Sequence, residues 1–259
     1  MDKNQVFTIL QRNGGIRAAR IITDHLKKTS GIRVLYIAHQ LRRGVPVSKI
    51  IKAKWFFGLK FYTNRHTLDP RPDTETLVSA VISDCPDTAP RRILDLGTGT
   101  GCIICALAKN IPNATGIAID ISRPALRVAR RNIRLLGQTN KIRTHRASFN
   151  RPHNFGERFD IIVSNPPYIA HNDTRVNIGA TYDPKMALYA KNNGLAAYEQ
   201  IAQNARNWLK QDGKLYLEIG IDMGPDVKNI FVQNGWNLRR TEKDLSGTER
   251  VLIFTQAIQ

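Results

Sequence analysis

The sequence has few cysteines and no long apolar run, and both absences narrow what the protein can be. Its three cysteines, Cys85, Cys102 and Cys105, are an odd number and provide no disulfide framework, which fits a reducing compartment. No stretch approaches the roughly 20 apolar residues needed to cross a bilayer, and the first four residues do not resemble a signal peptide. We therefore expect a soluble, cytoplasmic protein that does not bind membranes.

The pair Cys102 and Cys105 forms a C-x-x-C pattern, for which there are two interpretations. It falls within the apolar stretch 102–110, predicted to be a helix, where small apolar residues pack against a sheet. Redox or metal chemistry is the alternative, but the sequence has no second Cys or His pair at ligand spacing. We favour packing and predict no metal site.

Acidic residues are also scarce, since 21 Asp and Glu face 39 Lys and Arg, which gives a net charge of +18. Residues 1–60 hold 13 of the basic residues and only two acids. One interpretation is a general composition bias with no partner implied. The other is that this segment approaches an RNA-rich or acidic protein surface, because a basic surface speeds encounters with polyanions.

The 259 residues are enough for one sizeable α/β core and a small appendage. We divide the chain into a small basic helical substrate-recognition domain (1–50), a hairpin and linker (51–73) and a catalytic domain (74–259). Two short helices are predicted at Ala18 to Lys28 and Val34 to Arg43. The aromatic-rich stretch 55–62 predicts a β-hairpin buried at the domain boundary, with nucleobase stacking by its aromatics as the alternative.

From Thr74 onward, apolar strands alternate with helical patterns, which predicts a parallel sheet covered on both faces. Beyond the helix at 102–110, helices are predicted at Arg123 to Leu136, capped by Ser122, and at Leu195 to Leu209. Seven strands are predicted: Arg92 to Leu96, Thr115 to Ile119, Ile142 to Arg146, Asp160 to Val163, Lys214 to Ile219, Asn237 to Arg240 and Arg250 to Thr255.

A glycine-rich turn follows the first of these strands. Gly97, Thr98, Gly99, Thr100 and Gly101 lead directly into the helix at 102–110, and glycines let a backbone turn tightly and approach a ligand closely. Asp120 ends the next strand, where an acid suits a ribose diol. Strand ends of a parallel sheet meet at one edge, so these segments are predicted to form one crevice.

The segment Asn165-Pro166-Pro167-Tyr168 follows a third strand end. Two consecutive prolines remove two backbone donors and keep the segment out of helices and sheet ladders. The Asn165 side-chain oxygen and the Pro166 carbonyl are left as acceptors beside the Tyr168 ring. Such a site can accept both N–H hydrogens of an amide or amine while the ring stacks on the planar group.

The order of these motifs resembles the class I S-adenosylmethionine-dependent methyltransferases. The stretch Pro70-Arg71-Pro72-Asp73-Thr74-Glu75 makes the chain similar, more narrowly, to the protein-(glutamine-N5) methyltransferases that modify peptide chain release factors. The resemblance implies a Rossmann-like seven-stranded sheet with its last strand antiparallel, a small N-terminal helical domain and a connecting hairpin.

The same resemblance implies the roles of individual residues. S-adenosylmethionine would bind at Gly97, Thr98, Gly99, Thr100, Gly101, Asp120, Phe149 and Asn165, with Phe149 packing on the adenine. Catalysis would rest on Asn165, Pro166 and Tyr168, and Arg71, Asn165, Pro166, Pro167 and Tyr168 would bind the substrate. The chain departs from the family pattern at Asp69, where an aliphatic residue is usual, and at Ser148, where an acid is usual.

The leading hypothesis is thus methylation of a glutamine side-chain amide in a release factor by a monomeric enzyme. The nearest alternative is methylation of an exocyclic amine of adenine or guanine in RNA or DNA, which needs the same acceptor geometry and an unstacked base. A third is a non-catalytic binding module that retains the fold, for which Ser148 is the only indication.

Overall fold

The computed structural model describes residues 1–26, 30–173 and 178–257. It begins with three helices, α1 (Lys3–His25), α2 (Gly31–Arg42) and α3 (Val47–Ile51). Helices α1 and α2 bury a small apolar cluster of their own. The cluster consists of Val6, Leu10, Ala19, Ile22, Val34, Ile37 and Ala38.

The predicted start of the first helix was wrong. Helix α1 begins at Lys3, because Asp2 and Gln5 form a capping box in which each side chain accepts from the other residue's backbone N–H. Gly15, with φ 81°, kinks it before the predicted start at Ala18. Its predicted end at Lys28 lies outside the described residues, and helical structure ends at His25.

A two-stranded hairpin follows, formed by β1 (Ala53–Phe56) and β2 (Leu59–Tyr62). Phe56 and Phe61 are buried as predicted, but Trp55 is 67% exposed because its side chain lies on the outer face of an edge strand. The backbone of Tyr62 exchanges two hydrogen bonds with the side chain of Asn132, at 2.8 and 2.9 Å. These bonds join the hairpin to the helix at 123–135.

The rest of the chain alternates between helices and strands. The helices are α4 (Thr74–Ser83), α5 (Cys102–Asn110), α6 (Arg123–Leu135), α7 (Lys185–Leu188), α8 (Ala196–Asn204) and α9 (Gly224–Gln233). The strands are β3 (Arg91–Leu96), β4 (Ala114–Asp120), β5 (Ile142–Arg146), β6 (Phe159–Ser164), β7 (Ile169–Ala170), β8 (Tyr189–Ala190), β9 (Leu209–Glu218), β10 (Trp236–Lys243) and β11 (Glu249–Gln256).

Among the described residues, seven strands form the main sheet in the order β10-β11-β9-β6-β3-β4-β5, and β11 runs antiparallel to the other six. This confirms the predicted Rossmann-like sheet with an antiparallel last strand. Helices α4 and α5 cover one face, and α8 and α9 cover the other. Cys102 and Cys105 are buried in α5 as free thiols, in agreement with the packing interpretation.

One predicted boundary was wrong because two elements meet closely. Helix α8 ends at Asn204, a 3₁₀ turn covers Ala205–Asn207, and β9 begins at Leu209 rather than Lys214. The Phe159 N–H donates to the Trp208 carbonyl at 2.8 Å, so the backbone there already pairs with β6. The predicted buried face of α8 and the turn after it is confirmed for Tyr198, Ile201, Ala205 and Trp208.

Within the described part of the chain, no helix is long and apolar enough to cross a bilayer.

Candidate active site

The glycine-rich turn connects β3 to α5 at the edge where the parallel strands end. Gly97, Gly99 and Gly101 have φ values of 73, 54 and 79°, a region that other residues rarely adopt. The Thr98 hydroxyl donates to buried Asp95 at 2.6 Å, and this bond opposes the burial that raises the pKa of Asp95 to about 7. The turn is therefore held from beneath by a carboxyl group inside the sheet.

Asp120 lies at the end of β4 and faces this turn. Its two carboxylate oxygens accept from the backbone N–H groups of Gly99, at 3.0 Å, and Ser122, at 2.8 Å. Burial raises the pKa of Asp120, and these two hydrogen bonds act in the opposite direction. The carboxylate is thereby oriented between the glycine turn and the start of α6.

A cavity of about 290 Å³ opens above the turn, and we call it the glycine pocket. Of the predicted cofactor residues, those that line it are Gly97, Thr98, Gly99, Thr100, Asp120, Phe149 and Asn165. Gly101 is not among its lining residues. It ends the turn with a φ of 79°, so its part is to let the backbone bend into α5, and a Cβ atom there would only touch Ala129 of α6 at 3.5 Å.

A second cavity, of about 460 Å³, adjoins the first, and we call it the proline pocket. Its lining includes all five residues that were predicted to bind the substrate: Arg71, Asn165, Pro166, Pro167 and Tyr168. Asn165, Pro167 and Arg71 line both pockets, whereas Pro166 and Tyr168 line only the second. The structure thus brings the predicted residues together in two neighbouring cavities with a shared wall.

Asn165 follows β6 and stands in that shared wall. Its side-chain nitrogen, Nδ2, donates to the hydroxyl of Thr74 at 3.1 Å. Thr74 is the first residue of α4 and is buried. The amide nitrogen of Asn165 is therefore directed at α4. This leaves the oxygen, Oδ1, free to accept a hydrogen bond from an N–H group in the pocket.

Tyr168 presents its ring rather than a charge. Burial raises its pKa far above the ordinary value, the nearby Glu218 carboxylate acts in the same direction, and Arg250 acts against them. The ring packs so closely on Gly220 that a Cβ atom there would lie 2.9 Å from the ring atom Cδ2. Tyr168 is consequently a neutral, fixed aromatic surface.

The structure also reveals site residues that the sequence did not indicate. Glu218, at the end of β9, is 1% exposed and lines the proline pocket. Burial raises the pKa of Glu218 to about 7, although the side chains of Thr74 and Asn165 favour its ionised form. In the sequence Glu218 is only one residue of the predicted strand Lys214 to Ile219, and its contact with Asn165 depends on the fold.

Arg71 is held at the rim of both pockets by an ion pair. Its guanidinium lies 3.1 Å from Asp183 Oδ2, while Lys49 Nζ lies 2.8 Å from both Asp183 Oδ1 and Asp69 Oδ1. Asp69 stands where the resembled family has an aliphatic residue. That substitution is the one feature of the sequence from which this cluster could have been predicted.

Among the described residues, no group of His, Cys, Asp or Glu side chains is arranged to hold a metal ion.

Comparisons with known proteins agree with this geometry. A family model described as the methyltransferase small domain matches residues 71–182. The release factor glutamine methyltransferase of Agrobacterium fabrum is 40% identical over an alignment of 233 residues, and the match covers 86% of this chain and 78% of that protein. The chain belongs to the release factor glutamine methyltransferase family.

Two other matches show less about this chain, one because the chain covers only part of the relative and one because the sequence identity is low. The bifunctional methyltransferase of Rickettsia felis is 38% identical over 240 residues, 81% of this chain, but the chain spans only 45% of that protein. The crystal structure of a methyltransferase from Pyrococcus furiosus aligns with a TM-score of 0.55 at 20% identity, covering 88% of this chain and 98% of that one. The latter shows the fold alone.

Proposed function

We propose that the protein transfers a methyl group from S-adenosylmethionine to the side-chain amide nitrogen, N5, of a glutamine in a peptide chain release factor. The observation that carries the proposal is the wall between the two pockets. Asn165 and Pro167 line both cavities, so a donor in the glycine pocket and an amide in the proline pocket would meet at Asn165. Family membership supports the same substrate.

The residues of the glycine pocket fit the cofactor. The Gly97–Gly101 turn lets the backbone approach closely, Asp120 offers oriented carboxylate oxygens suited to ribose hydroxyls, and Phe149 offers an aromatic face for adenine. Ser148 also lines this pocket and can accept a hydrogen bond in place of the family's usual acid. When bound, S-adenosylmethionine supplies a methyl group that is already activated by the positive charge on its sulfur.

The chain's own task is then orientation. Holding the acceptor nitrogen in line with the donor can lower the barrier by on the order of 7 to 11 kcal/mol. An amide nitrogen is a poor nucleophile because its lone pair is delocalised into the carbonyl. Asn165 Oδ1 and the Pro166 carbonyl would accept both amide hydrogens, which favours positive charge on nitrogen and keeps the lone pair directed at the methyl group.

We also propose the division of the chain into a recognition domain (1–50), a hairpin and linker (51–73) and a catalytic domain (74–259). The separate apolar cluster of α1 and α2 supports it. A third cleft, of about 690 Å³, lies between these parts and is lined by Arg17, Lys54, Trp55 and Arg71. Lys49 and Arg71 together offset the charges of the two acids in this cleft, Asp69 and Asp183. Arg17 and Lys54 remain as positive charges of the cleft, which suits an acidic face of the protein substrate.

The same basic segment supports contact with RNA-rich surroundings, where release factors act. We propose that the enzyme works as a monomer in the cytoplasm. The three free, buried thiols support a reducing compartment.

The test is to incubate the protein with S-adenosylmethionine labelled in its methyl group and, separately, with purified release factor or with protein-free RNA. We expect label on one glutamine side chain of the release factor, located by peptide mass spectrometry. A release factor with that glutamine changed to glutamate is the control. Label in RNA alone would support the nucleobase alternative, and cofactor binding without transfer to either would indicate a binding module.

A further inference from the structure

The proposed mechanism requires that one particular end of the Asn165 amide faces the acceptor. Oδ1 accepts hydrogen bonds, whereas Nδ2 only donates them. An acceptor amide that points one N–H group at Asn165 and the other at the Pro166 carbonyl is held by Oδ1 and repelled by Nδ2. Some part of the protein must therefore fix the amide in one of two orientations that occupy nearly the same volume.

Thr74 is the direct partner of Asn165 but cannot fix the orientation alone. Its hydroxyl oxygen accepts from Asn165 Nδ2 at 3.1 Å, and the hydroxyl is buried at the first residue of α4. A hydroxyl can both accept and donate, so the same threonine could donate to Oδ1 if the amide were reversed. The direction of this bond depends on where the Thr74 proton goes.

Glu218 determines whether the Thr74 hydroxyl donates to Asn165 or accepts from it. Its side chain is 1% exposed, and the side chains of Thr74 and Asn165 both favour its ionised form. An ionised carboxylate only accepts hydrogen bonds, so a Thr74 hydroxyl that donates to Glu218 is left to accept from Asn165. Within the described part of the chain, Glu218 Oε2 has no hydrogen-bond partner, which leaves accepting capacity beside Asn165.

We propose that Glu218 and Thr74 are positioning residues that hold Nδ2 of Asn165 inward and Oδ1 toward the acceptor in the proline pocket. This inference rests on the proposed function for the identity of the acceptor. The orientation itself is a property of the free protein. Both can therefore be tested separately.

Protonation of Glu218 would allow the hydrogen bonds between Glu218, Thr74 and Asn165 to run in the opposite direction. A protonated carboxyl can donate to Thr74, which can then donate to Asn165 Oδ1, and the amide is no longer held in one orientation. Of the charged groups around Glu218, Asp73 raises its pKa and Arg250 lowers it. The other titratable groups nearby, Tyr168, Tyr198 and Cys102, are neutral, and their own pKa values are raised by burial and by the Glu218 carboxylate. With a Glu218 pKa raised to about 7, turnover is expected to fall as the pH drops below neutral.

The activity test uses substitutions that keep side-chain volume. Thr74→Val removes the hydroxyl and is expected to lower kcat about 10-fold, the effect of one lost oriented hydrogen bond, with little change in cofactor affinity. Thr74→Ser keeps the hydroxyl and should retain most of kcat. Glu218→Gln should lower kcat and abolish its decline at acidic pH. Thr115→Val, in β4 outside both pockets, is the matched control and should behave as the wild type.

The second readout needs no substrate. In ¹⁵N-labelled protein the Asn165 side-chain NH₂ signal, assigned by its loss in Asn165→Ala, should exchange slowly with water. It should exchange faster in Thr74→Val but not in Thr74→Ser or Thr115→Val. Calorimetric binding of S-adenosylmethionine shows that each variant is folded.

Three results would overturn the proposal: rapid exchange of the Asn165 NH₂ in the wild type, equal losses of kcat in Thr74→Ser and Thr74→Val, or an unchanged acidic limb in Glu218→Gln. Absence of label on any release factor glutamine would instead contradict the proposed substrate. The slow-exchange result would stand in that case. The two failures are thus distinguishable.

Discussion

At the scale of single residues, Asn165 is the side chain on which the proposed chemistry depends most. We expect Asn165→Ala to reduce turnover by roughly 10²-fold, by analogy with the loss of one preorganised transition-state hydrogen bond. Cofactor affinity should fall less, because the Gly97–Gly101 turn, Asp120 and Phe149 remain. Steady-state kinetics and calorimetry on the same preparation measure both quantities. Turnover close to that of the wild type would remove Asn165 from the mechanism.

Tyr168 separates the role of a ring from that of a hydroxyl. Its ring is packed against Gly220, and burial keeps the hydroxyl neutral by raising its pKa. We expect Tyr168→Phe to be mild, whereas Tyr168→Ala should mainly raise KM for the acceptor through loss of the aromatic surface. The comparison is made with kcat and KM for the methyl acceptor. Equal loss in both variants would assign the role to the hydroxyl instead.

Residue-scale features were predictable from the sequence where they depend on local backbone chemistry. The alternating glycines of 97–101 and the double proline at 166–167 restrict φ whatever surrounds them. Thr74 and Glu218 are different, because nothing local distinguishes them from other threonines and glutamates. Their part in the site arises when α4, β6 and β9 bring positions 74, 165 and 218 together.

At the scale of elements, the segment around Gly194 packs against the backbone of Tyr168. Gly194 has φ 91°, and a Cβ atom there would clash with the Tyr168 carbonyl oxygen. Gly137, at the end of α6, also has a positive φ of 67°, but a Cβ atom would meet nothing within 4 Å. The two glycines thus share a positive φ, but only Gly194 is buried with no room for a Cβ atom.

We expect Gly137→Ala to cost about 1 kcal/mol of stability, from backbone strain alone, and to leave turnover unchanged. Gly194→Ala should cost more and should also raise KM for the acceptor, since Tyr168 must move. Thermal unfolding and steady-state kinetics on the two variants test this. Matching effects on both measurements would show that Gly194 does not support the site.

A second link between elements is Asp84, which follows α4 and is tied to two strands. Burial would raise its pKa, but hydrogen bonds from Arg240 at 2.8 Å, Tyr216 at 2.6 Å and Lys214 at 2.9 Å lower the pKa to about 2. A carboxyl whose pKa is lowered by folding stabilises the protein above its unfolded pKa, near 4. That stabilisation is lost as the pH falls toward 2.

Asp84→Asn should therefore reduce the free energy of unfolding at neutral pH by on the order of 2 kcal/mol. The difference from the wild type should shrink between about pH 4 and pH 2, where Asp84 itself becomes protonated. Urea unfolding at a series of pH values measures it, with the exposed Asp212→Asn as control. A difference independent of pH would show that the contribution is not ionic.

The elements themselves were largely predictable because apolar strands and capped helices leave strong periodic patterns. All seven strands of the sheet were predicted, and α6 starts at Arg123 where Ser122 caps it through a bond of 3.2 Å from the Ala125 N–H. The start of α1 was missed since Gly14 and Gly15 interrupt the helical pattern between Leu10 and Ala18. The start of β9 was missed because its pairing with β6 is a tertiary contact.

At the scale of the whole molecule, a buried ion cluster connects the N-terminal helices to the rim of the active site. Lys49 comes from α3, Asp69 from the linker, and Asp183 from the segment between β7 and α7. Asp183 also forms an ion pair with Arg71. The side chains of Lys49, Asp69 and Asp183 are only 7, 7 and 2% exposed. Ser48 and Thr63 donate further hydrogen bonds to Asp69, so each charge in the cluster is compensated by several partners.

Removing one member of such a cluster should cost more than removing two. Lys49→Met leaves Asp69 and Asp183 buried without their shared cation, and we expect a loss of about 3 to 5 kcal/mol in the free energy of unfolding. The double variant Lys49→Met with Asp69→Leu also removes one unpaired carboxylate and restores the aliphatic residue usual in the family. It should therefore recover part of the loss, which makes the two substitutions strongly non-additive.

Urea unfolding of the single and double variants measures this coupling, with Lys60→Met as a control at an exposed lysine of β2. If the double variant were less stable than Lys49→Met, Asp69 would stabilise the fold by itself, through Ser48 and Thr63, and not through Lys49. If both were as stable as the wild type, the N-terminal helices would not depend on this cluster for their attachment. Recovery in the double variant, together with KM for the acceptor rising in Lys49→Met, would show that the same cluster also keeps Arg71 in place at the pockets.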